Sequence, residues 1–204
     1  MSLVKSPPDS KFPDSHHDIY SKTIFGFWIY LLSDFILFAT FFAVYIVLHH
    51  SAFLGASAAE FFEMPFILSQ TLLFLTSSFT VGMGGVYAHR KNKKGIMICF
   101  GITFLLGAIF LVREYMDLSH LVNLGYIWER NAFLTGFFSL LGLHAAHLFF
   151  ALLWIFVLLI PIFRKEVDPV SIRRLTCLRM FWQFLNVIWV FIFTIVYLMG
   201  GYLA

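Results

Sequence analysis

Two histidines on one face of a strongly apolar segment are the first residues here that could do chemistry. His144 and His147 occur in LGLHAAHLFF, and their i, i+3 spacing places both imidazoles on the same side of a helix. A zinc site would need a third ligand, and this helix offers no further carboxylate or cysteine of the kind that HExxH supplies. Axial haem ligation needs histidines that approach from opposite sides of the ring. The spacing therefore favours interhelical hydrogen bonds, with a lipid or proton site as the alternative.

A second candidate is the carboxylate of Asp34, which stands alone in an otherwise uncharged run from Ile24 to Leu48. A carboxylate at the centre of a membrane-spanning helix costs about 2.5 to 3.5 kcal/mol on insertion scales. Asp34 must therefore face protein, water or a lipid headgroup.

The segment REYMDLSH carries Glu114, Asp117 and His120 at successive i, i+3 positions. These charges could meet water as the outer cap of a helix. Alternatively, Glu114 lies partly within the bundle, where Arg113 or a histidine would be its partner. The sequence leaves both interpretations open.

Neutral polar residues mark one side of the last apolar segment, where Gln183 and Asn186 align with Thr194 and Tyr197. With Asp34, Glu114, His144 and His147, the two amides predict a polar seam related to lipid or protons. No acid–base dyad, activated nucleophile or phosphate-binding loop occurs in the chain. The sequence therefore predicts no catalytic, cofactor-binding or metal-ligating residue.

The composition identifies the elements that must position these residues. A hydrophobic fraction of 60%, a charged fraction of 12% and a mean hydropathy of +0.86 exclude an ordinary soluble domain. The basic residues fall in short segments rather than on one face, which excludes nucleic acid as a partner. We predict an all-α integral membrane protein, a bundle of five transmembrane helices near residues 24–48, 65–88, 95–112, 132–163 and 179–203.

Charge in the connecting segments predicts the orientation of this bundle. Twelve of the 14 lysines and arginines fall on the side of the N-terminus, and only Arg113 and Arg130 fall on the other. By the positive-inside rule, the N-terminus is cytoplasmic and the C-terminus periplasmic. Residues 1–22 contain no apolar signal region and are predicted to form a flexible cytoplasmic tail, before a membrane domain at 23–204.

From Ile24 onward the chain resembles subunit III of the haem-copper terminal oxidases, and in particular that of the cytochrome bo-type ubiquinol oxidases. The five-helix form, without the first two helices of the longer relatives, is also typical of the quinol-oxidase branch. The order and spacing of several segments carry the resemblance: FGFWIYLLSDFILF, FEMPFILSQTLLFLTSS, GMGGVYAHRKNKK, EYMDLSHLV, LGLHAAHLFF and FWQFLNVIWVFIFTIVYLMG.

The resemblance implies a subunit without haem, copper or quinone, packed on a catalytic subunit I that holds the haem and copper. Subunit II and a small subunit IV would complete the proton-pumping complex in a bacterial cytoplasmic membrane, and phospholipid would be a further ligand. The expected roles are assembly, stability, lipid binding and proton supply. Asp34 matches the family's intramembrane carboxylate, which is a carbodiimide-reactive glutamate in mitochondrial relatives. Glu114, His144 and His147 match positions associated with a lipid-holding cleft.

Two departures from the family pattern concern these sites. Gln183 and Asn186 replace the ionisable pair of WHFxD, and Ala145 fills the glycine position of HGxH. Amides hydrogen bond but hold no charge, which weakens the expectation of phosphate contacts at the cytoplasmic end of the fifth helix. Rival hypotheses are subunit III of a cytochrome c oxidase, an accessory subunit of a nitric oxide reductase, a free-standing b-type cytochrome and a small independent transporter.

Overall fold

The computed structural model describes residues 15–51, 64–125, 132–164 and 168–199 of the 204-residue chain. Within these ranges every regular element is a helix. The helices are α1 (Ser15–Ser51), α2 (Met64–His89), α3 (Lys93–Asn123), α4 (Ala132–Arg164) and α5 (Pro169–Ile192), and α5 continues as a π-helix over Phe193–Met199.

Five of the described helical segments are long and apolar enough to cross a membrane, which confirms the predicted number of spans. These spans cover Tyr20–Leu48, Pro65–His89, Lys93–Asn123, Phe133–Arg164 and Pro169–Leu198. Their outward-facing residues are largely apolar, as expected for a surface in contact with lipid. The described part of the chain is therefore all helical and has the form of a multi-pass membrane protein.

Three helices are longer than their apolar runs predict. α1 begins at Ser15, so residues 15–22, assigned above to the tail, are helical; α3 continues to Asn123 and α5 begins at Pro169. Hydropathy detects only the part of a helix that lies in hydrocarbon, whereas the backbone continues to hydrogen bond where charged side chains reach water. The predicted tail residues 1–14 and the last residues, 200–204, lie outside the described ranges.

The order of packing follows the short connections. α2 and α3 form a hairpin whose turn includes Lys91, with a positive φ of 52°, and Asn92, whose side chain accepts a hydrogen bond from the Gly95 N–H at 3.3 Å. Lys93 Nζ donates to the carbonyl oxygen of Phe163 at 2.9 Å, which satisfies an unpaired carbonyl in the last turn of α4. The start of α3 and the end of α4 therefore lie at the same face of the bundle.

Two indoles connect α5 to α2. Trp182 Nε1 donates to Ser77 Oγ at 3.0 Å, and Trp189 Nε1 donates to Thr71 Oγ1 at 3.2 Å. Each of these hydroxyl groups also donates its hydrogen to a backbone carbonyl of α2, so it both accepts and donates a hydrogen bond. Such interhelical bonds average about 0.6 kcal/mol in a membrane protein.

Close packing beneath these indoles depends on small residues. A side chain at Gly107 of α3 would collide with the Trp182 ring, and one at Gly84 of α2 would lie 2.8 Å from the ring of Phe100. The absence of a Cβ thus lets neighbouring helices approach closely. At the centre, the rings of Phe74 and Phe110 stack at 4.5 Å.

Candidate functional site

His144 of α4 lies at the centre of the bundle and is fully buried. Its ring is surrounded by aromatic side chains of three helices: Phe74 at 5.9 Å, Phe110 at 6.1 Å and Trp189 at 5.2 Å between centroids. The Nε2–H donates to the backbone carbonyl of Leu185 at 3.4 Å. The imidazole is therefore held by an apolar box and tied to α5 through one nitrogen.

The other nitrogen of His144 faces Glu114 of α3. His144 Nδ1 lies 3.7 Å from Glu114 Oε1, and the side chains are 0% and 2% exposed, respectively. Neither carboxyl oxygen of Glu114 has a hydrogen-bond partner within the described residues. Of the two interpretations left open by the sequence, the structure therefore selects the one in which Glu114 lies inside the bundle beside a histidine.

His147 pairs with Asp34 on the α1 side of α4. His147 Nε2 lies 3.7 Å from Asp34 Oδ2, and the two side chains are 17% and 12% exposed. Nδ1 of His147 donates to the Leu143 carbonyl of its own helix at 2.8 Å, and the ring packs against Phe38. This pair is partly accessible, whereas the Glu114–His144 pair is sealed.

The two pairs share one electronic arrangement. A backbone carbonyl only accepts hydrogen bonds, so the ring nitrogen that faces it must carry hydrogen. In a neutral histidine the second nitrogen is then a lone pair, which repels an ionised carboxylate. Each pair is attractive only when it contains one further proton, on either the imidazole or the carboxyl group. The 3.7 Å separations exceed hydrogen-bonding distance, so a small approach is needed to close either contact.

The pairs lie deep within the membrane-spanning part. Asp34 is the central residue of the 29-residue span Tyr20–Leu48. Glu114 lies nine residues, or about 13 Å, from the Asn123 end of α3, by the helical rise of 1.5 Å per residue. Asp34 therefore lies at mid-span, whereas Glu114 is closer to one face.

Acidic and basic groups lead from Glu114 toward that face. Asp117, half-buried, follows one turn later, and His120, exposed, comes one turn after that. Tyr197 of the π-helix lies close enough to interact electrostatically with both Glu114 and Asp117. The predicted i, i+3 series is thus a graded line from the buried pair to the surface, rather than a surface cap alone.

The polar residues of α5 divide between two faces. Asn186 is buried, donates from Nδ2 to the Trp182 carbonyl at 3.0 Å and leaves Oδ1 without a partner, whereas Gln183 is exposed. At about 100° per residue, positions three apart differ by about 60°, enough to separate an inward from an outward side chain. Tyr197 shares the inward side and Thr194 the outward one. Asn186 therefore lies on the inward side of α5 and Gln183 on the outward side.

Gln183 instead borders an apolar groove between α1 and α5. This groove, of about 370 Å³, is also lined by Trp28, Leu31 and Phe184. A second groove of about 310 Å³ between the same helices includes Phe38 and Phe42, and Phe35 belongs to both. Phe38 separates this surface from the Asp34–His147 pair, because it lines the groove with one side and contacts the His147 ring with another.

Several structural residues were not singled out by the sequence analysis. The Trp182–Ser77 and Trp189–Thr71 links, the hydrogen bond between Thr80 and Thr103 at 2.8 Å, and the packing of Arg179 against Gly85 all cross helix boundaries. Two indoles seven residues apart on α5, facing two hydroxyls six residues apart on α2, are a signal that could have predicted the first two links. Among the described residues, no group of three or more histidines, cysteines and carboxylates is placed to hold a metal ion.

Comparison with known proteins places this geometry in context. No protein-family model matches the chain. It is 42% identical over 188 residues to the cytochrome bo(3) ubiquinol oxidase subunit 3 of Pseudomonas aeruginosa, covering 92% of this chain and 90% of that protein. The protein of the same name from Pseudomonas putida is 39% identical, with 90% and 89% covered. The cytochrome c oxidase subunit 3 of Bacillus sp. (strain PS3) is 39% identical, with 92% and 91% covered.

Proposed function

The chain belongs to the subunit III family of the haem-copper terminal oxidases, and from this premise we propose that it is the non-catalytic third subunit of a bo(3)-type ubiquinol oxidase. In that complex, oxidation of ubiquinol is coupled to reduction of oxygen to water and to proton pumping. The subunit supports assembly and stability, binds lipid and takes part in proton supply. It carries none of the electron-transfer centres itself.

The observation that carries this proposal is that each of the four ring nitrogens of the two histidines in HAAH faces a group of this chain. His144 directs one nitrogen to the Leu185 carbonyl and the other to Glu114. His147 directs one nitrogen to the Leu143 carbonyl and the other to Asp34. Because these nitrogens face groups of the chain itself, the two histidines are suited to joining α1 and α3 to α4 rather than to binding haem iron.

The arrangement in the membrane follows from the charge distribution. The N-terminus faces the cytoplasm and the C-terminus the periplasm of a bacterial inner membrane, because the connections after α2 and after α4 are basic. Residues 23–204 form the membrane domain, preceded by a cytoplasmic tail. The partners are the haem- and copper-bearing subunit I, subunit II and a small subunit IV.

Asp34, Glu114, His144, His147 and Asn186 form the proton-related part of the seam. Each carboxyl–imidazole pair holds one exchangeable proton, and the Asp34 pair is the one that a ligand can approach. Gln183 belongs to the lipid-related part, because it places an amide beside an apolar groove between α1 and α5.

Co-purification tests the proposed function. The tagged full chain is solubilised in mild detergent, and the recovered complex is analysed by mass spectrometry, optical spectroscopy and ubiquinol-dependent oxygen consumption. We expect a haem-copper subunit I in the complex, haem absorbance that tracks that subunit, and ubiquinol oxidase activity. Recovery of the chain alone, or haem retained by the chain alone, would contradict the proposal.

A second host is favoured by one finding, the 39% identity to a cytochrome c oxidase subunit 3. The same purified complex separates the hosts, because it is assayed with ubiquinol and with reduced cytochrome c in parallel. Oxidation of cytochrome c, without oxidation of ubiquinol, would assign the chain to the second host.

The role of Asp34 needs its own test. Replacing it as Asp34→Leu removes the carboxyl group but keeps the helix apolar. We expect lower yield of the complex, less retained phospholipid and earlier loss of activity during turnover, with Ile36→Ala, on the exposed side of α1 and outside both grooves, as the control. Unchanged yield, lipid content and durability would show that the pair has no such role.

A further inference from the structure

Arg179 is a cation within the span of α5 that the proposed function does not use. Its Nε is buried and has no hydrogen-bond partner, and it forms no ion pair within the described part of the chain. Arginine stays protonated in proteins, so this group cannot become neutral as a buried carboxyl or imidazole can. A guanidinium in this position needs an anion, and none of the described residues provides one.

Gly85 of α2 provides the space for this side chain. A Cβ at Gly85 would lie 2.6 Å from Arg179 Nη1 and 2.8 Å from its Cδ, so the arginine lies flat against bare backbone. One turn deeper, nothing lies within 4 Å of the position that a Cβ would take at Gly82. Gly85 and Gly82 thus leave bare backbone on α2, which we call the recess, with the guanidinium against Gly85 and open space at Gly82.

The guanidinium lies near the membrane face rather than at the midplane. The α-carbon of Arg179 is ten residues, or about 15 Å, from the start of α5, but Gly85 is only four residues, or about 6 Å, from the end of α2. The side chain therefore reaches back toward that end, as long basic side chains do at a lipid–water boundary. Phosphate groups of phospholipids lie at this level.

The surroundings favour an anionic lipid over other anions. Exposed apolar side chains continue from the recess along α2 and α5, including Phe79, Val86 and Val190. The same face of the bundle carries exposed cations that raise the local concentration of anionic headgroups: Arg90, Lys91, Lys94, Arg164 and Arg174.

We propose that Arg179, in the recess beside Gly85, binds the phosphate group of an anionic phospholipid whose acyl chains lie between α2 and α5. Guanidinium and phosphate match in charge and in the fork of donors, so the contact is charge-assisted and bidentate. This site is distinct from the groove between α1 and α5, and it does not depend on which oxidase hosts the subunit.

Lipid retention tests the proposal. Complexes that contain the full chain are exchanged into nanodiscs of phosphatidylcholine and phosphatidylglycerol, returned to mild detergent, and analysed by native mass spectrometry for phosphatidylglycerol per copy of the chain. We expect Arg179→Gln to reduce the retained phosphatidylglycerol about tenfold and Arg179→Lys to reduce it less. The control Arg174→Gln removes one of the exposed cations from the same helix and should reduce retention far less than Arg179→Gln does.

A second variant tests the recess without changing charge. Gly85→Ala displaces the guanidinium, so we expect a loss close to that of Arg179→Gln, whereas Gly101→Ala, where a Cβ meets no atom within 4 Å, should change nothing. The measurements are repeated with excess inorganic phosphate, which should not displace the lipid.

Three results would overturn the proposal. Retention in Arg179→Gln equal to that of the unmodified chain would show that Arg179 holds no lipid, and displacement by inorganic phosphate would show a site for the free anion. If Arg179→Gln kept its lipid but released a partner subunit, the occupant would be an acidic side chain of that subunit. Lipid is counted per copy of the chain, so the outcome is readable whether or not an oxidase co-purifies.

Discussion

The two carboxyl–imidazole pairs of α4 have the same chemistry in different surroundings. In both, a histidine gives one N–H to a backbone carbonyl and turns its other nitrogen to a carboxyl oxygen 3.7 Å away. The Glu114–His144 pair is fully enclosed by aromatic rings, whereas the Asp34–His147 pair is partly accessible from the α1 side. Burial, rather than residue type, therefore separates a structural contact from one that a ligand can reach.

Removing the histidine of each pair in turn should give the largest difference in stability between the two pairs. His144→Ala leaves a cavity among Phe74, Phe110 and Trp189 and removes the imidazole that faces a buried carboxyl group. We expect a loss of about 3 kcal/mol in the free energy of unfolding. His147→Ala opens a partly exposed site and should cost about 1 kcal/mol. The full chain in mild detergent is compared by SDS titration followed by circular dichroism.

Phe149→Ala, on the exposed side of α4, controls for the loss of side-chain area. Equal losses for the two histidine variants would remove the distinction between the pairs, whatever their absolute size.

Replacement of the buried carboxyl group tests the shared proton. A protonated carboxyl group and a primary amide have the same shape, and both can donate to the free lone pair of His144. Glu114→Gln should therefore cost less than about 1 kcal/mol, whereas Glu114→Leu should cost about 2 kcal/mol, because it leaves a buried ring nitrogen without a polar neighbour. The same SDS titration measures both.

An infrared band from a protonated carboxyl group that disappears in Glu114→Gln would place the proton on Glu114. A cost for Glu114→Gln as large as that for Glu114→Leu would instead indicate an ion pair with the proton on His144.

How far these contacts could be predicted depends on what sets them. Apolar runs predict five spans, and the structure agrees. The i, i+3 spacing predicts that His144 and His147 share a face, but the offset of about 60° between them directs His144 to Glu114 of α3 and His147 to Asp34 of α1. Which histidine meets which carboxyl group depends on the rotation and depth of three helices that are distant in sequence. The rotation of α5 about its axis also decides that Asn186 points inward and Gln183 outward. The two positions differ by only about 60° around the helix, so the sequence pattern assigns both to one side.

Helix ends were the least predictable part of the fold. Residues 113–123 and 169–178 are helical although they contain several charges, because the hydrogen bonds of the backbone do not require an apolar side chain. The inward position of Arg179 could not be predicted either, since it depends on the missing Cβ of Gly85 in another helix.

Chemical accessibility sharpens the comparison without changing stability. A lipid-soluble carbodiimide attacks protonated carboxyl groups, and both pairs contain one exchangeable proton in the arrangement proposed above. We expect the reagent to modify Asp34 several-fold faster than Glu114, because the side chain of Asp34 is 12% exposed and that of Glu114 is 2% exposed. Peptide mass spectrometry of the labelled chain measures both rates, and Asp34→Asn identifies the modified site. Faster labelling of Glu114 would contradict the accessibility argument.

The smallest effect is expected from the two amides of α5, and it extends the comparison to neutral groups. Asn186 is buried, but its donor bonds only to its own helix at the Trp182 carbonyl, and its Oδ1 has no partner. Asn186→Leu removes an unsatisfied acceptor as well as that bond, so the two contributions nearly cancel, and we expect a change within about 1 kcal/mol of zero. Gln183→Leu, on the exposed groove surface, should change stability by less than about 0.5 kcal/mol. SDS titration of both variants beside the unmodified chain decides the point. A loss of 2 kcal/mol or more in Asn186→Leu would mean that Oδ1 accepts a hydrogen bond from a buried water, and that the seam around His144 is hydrated rather than dry.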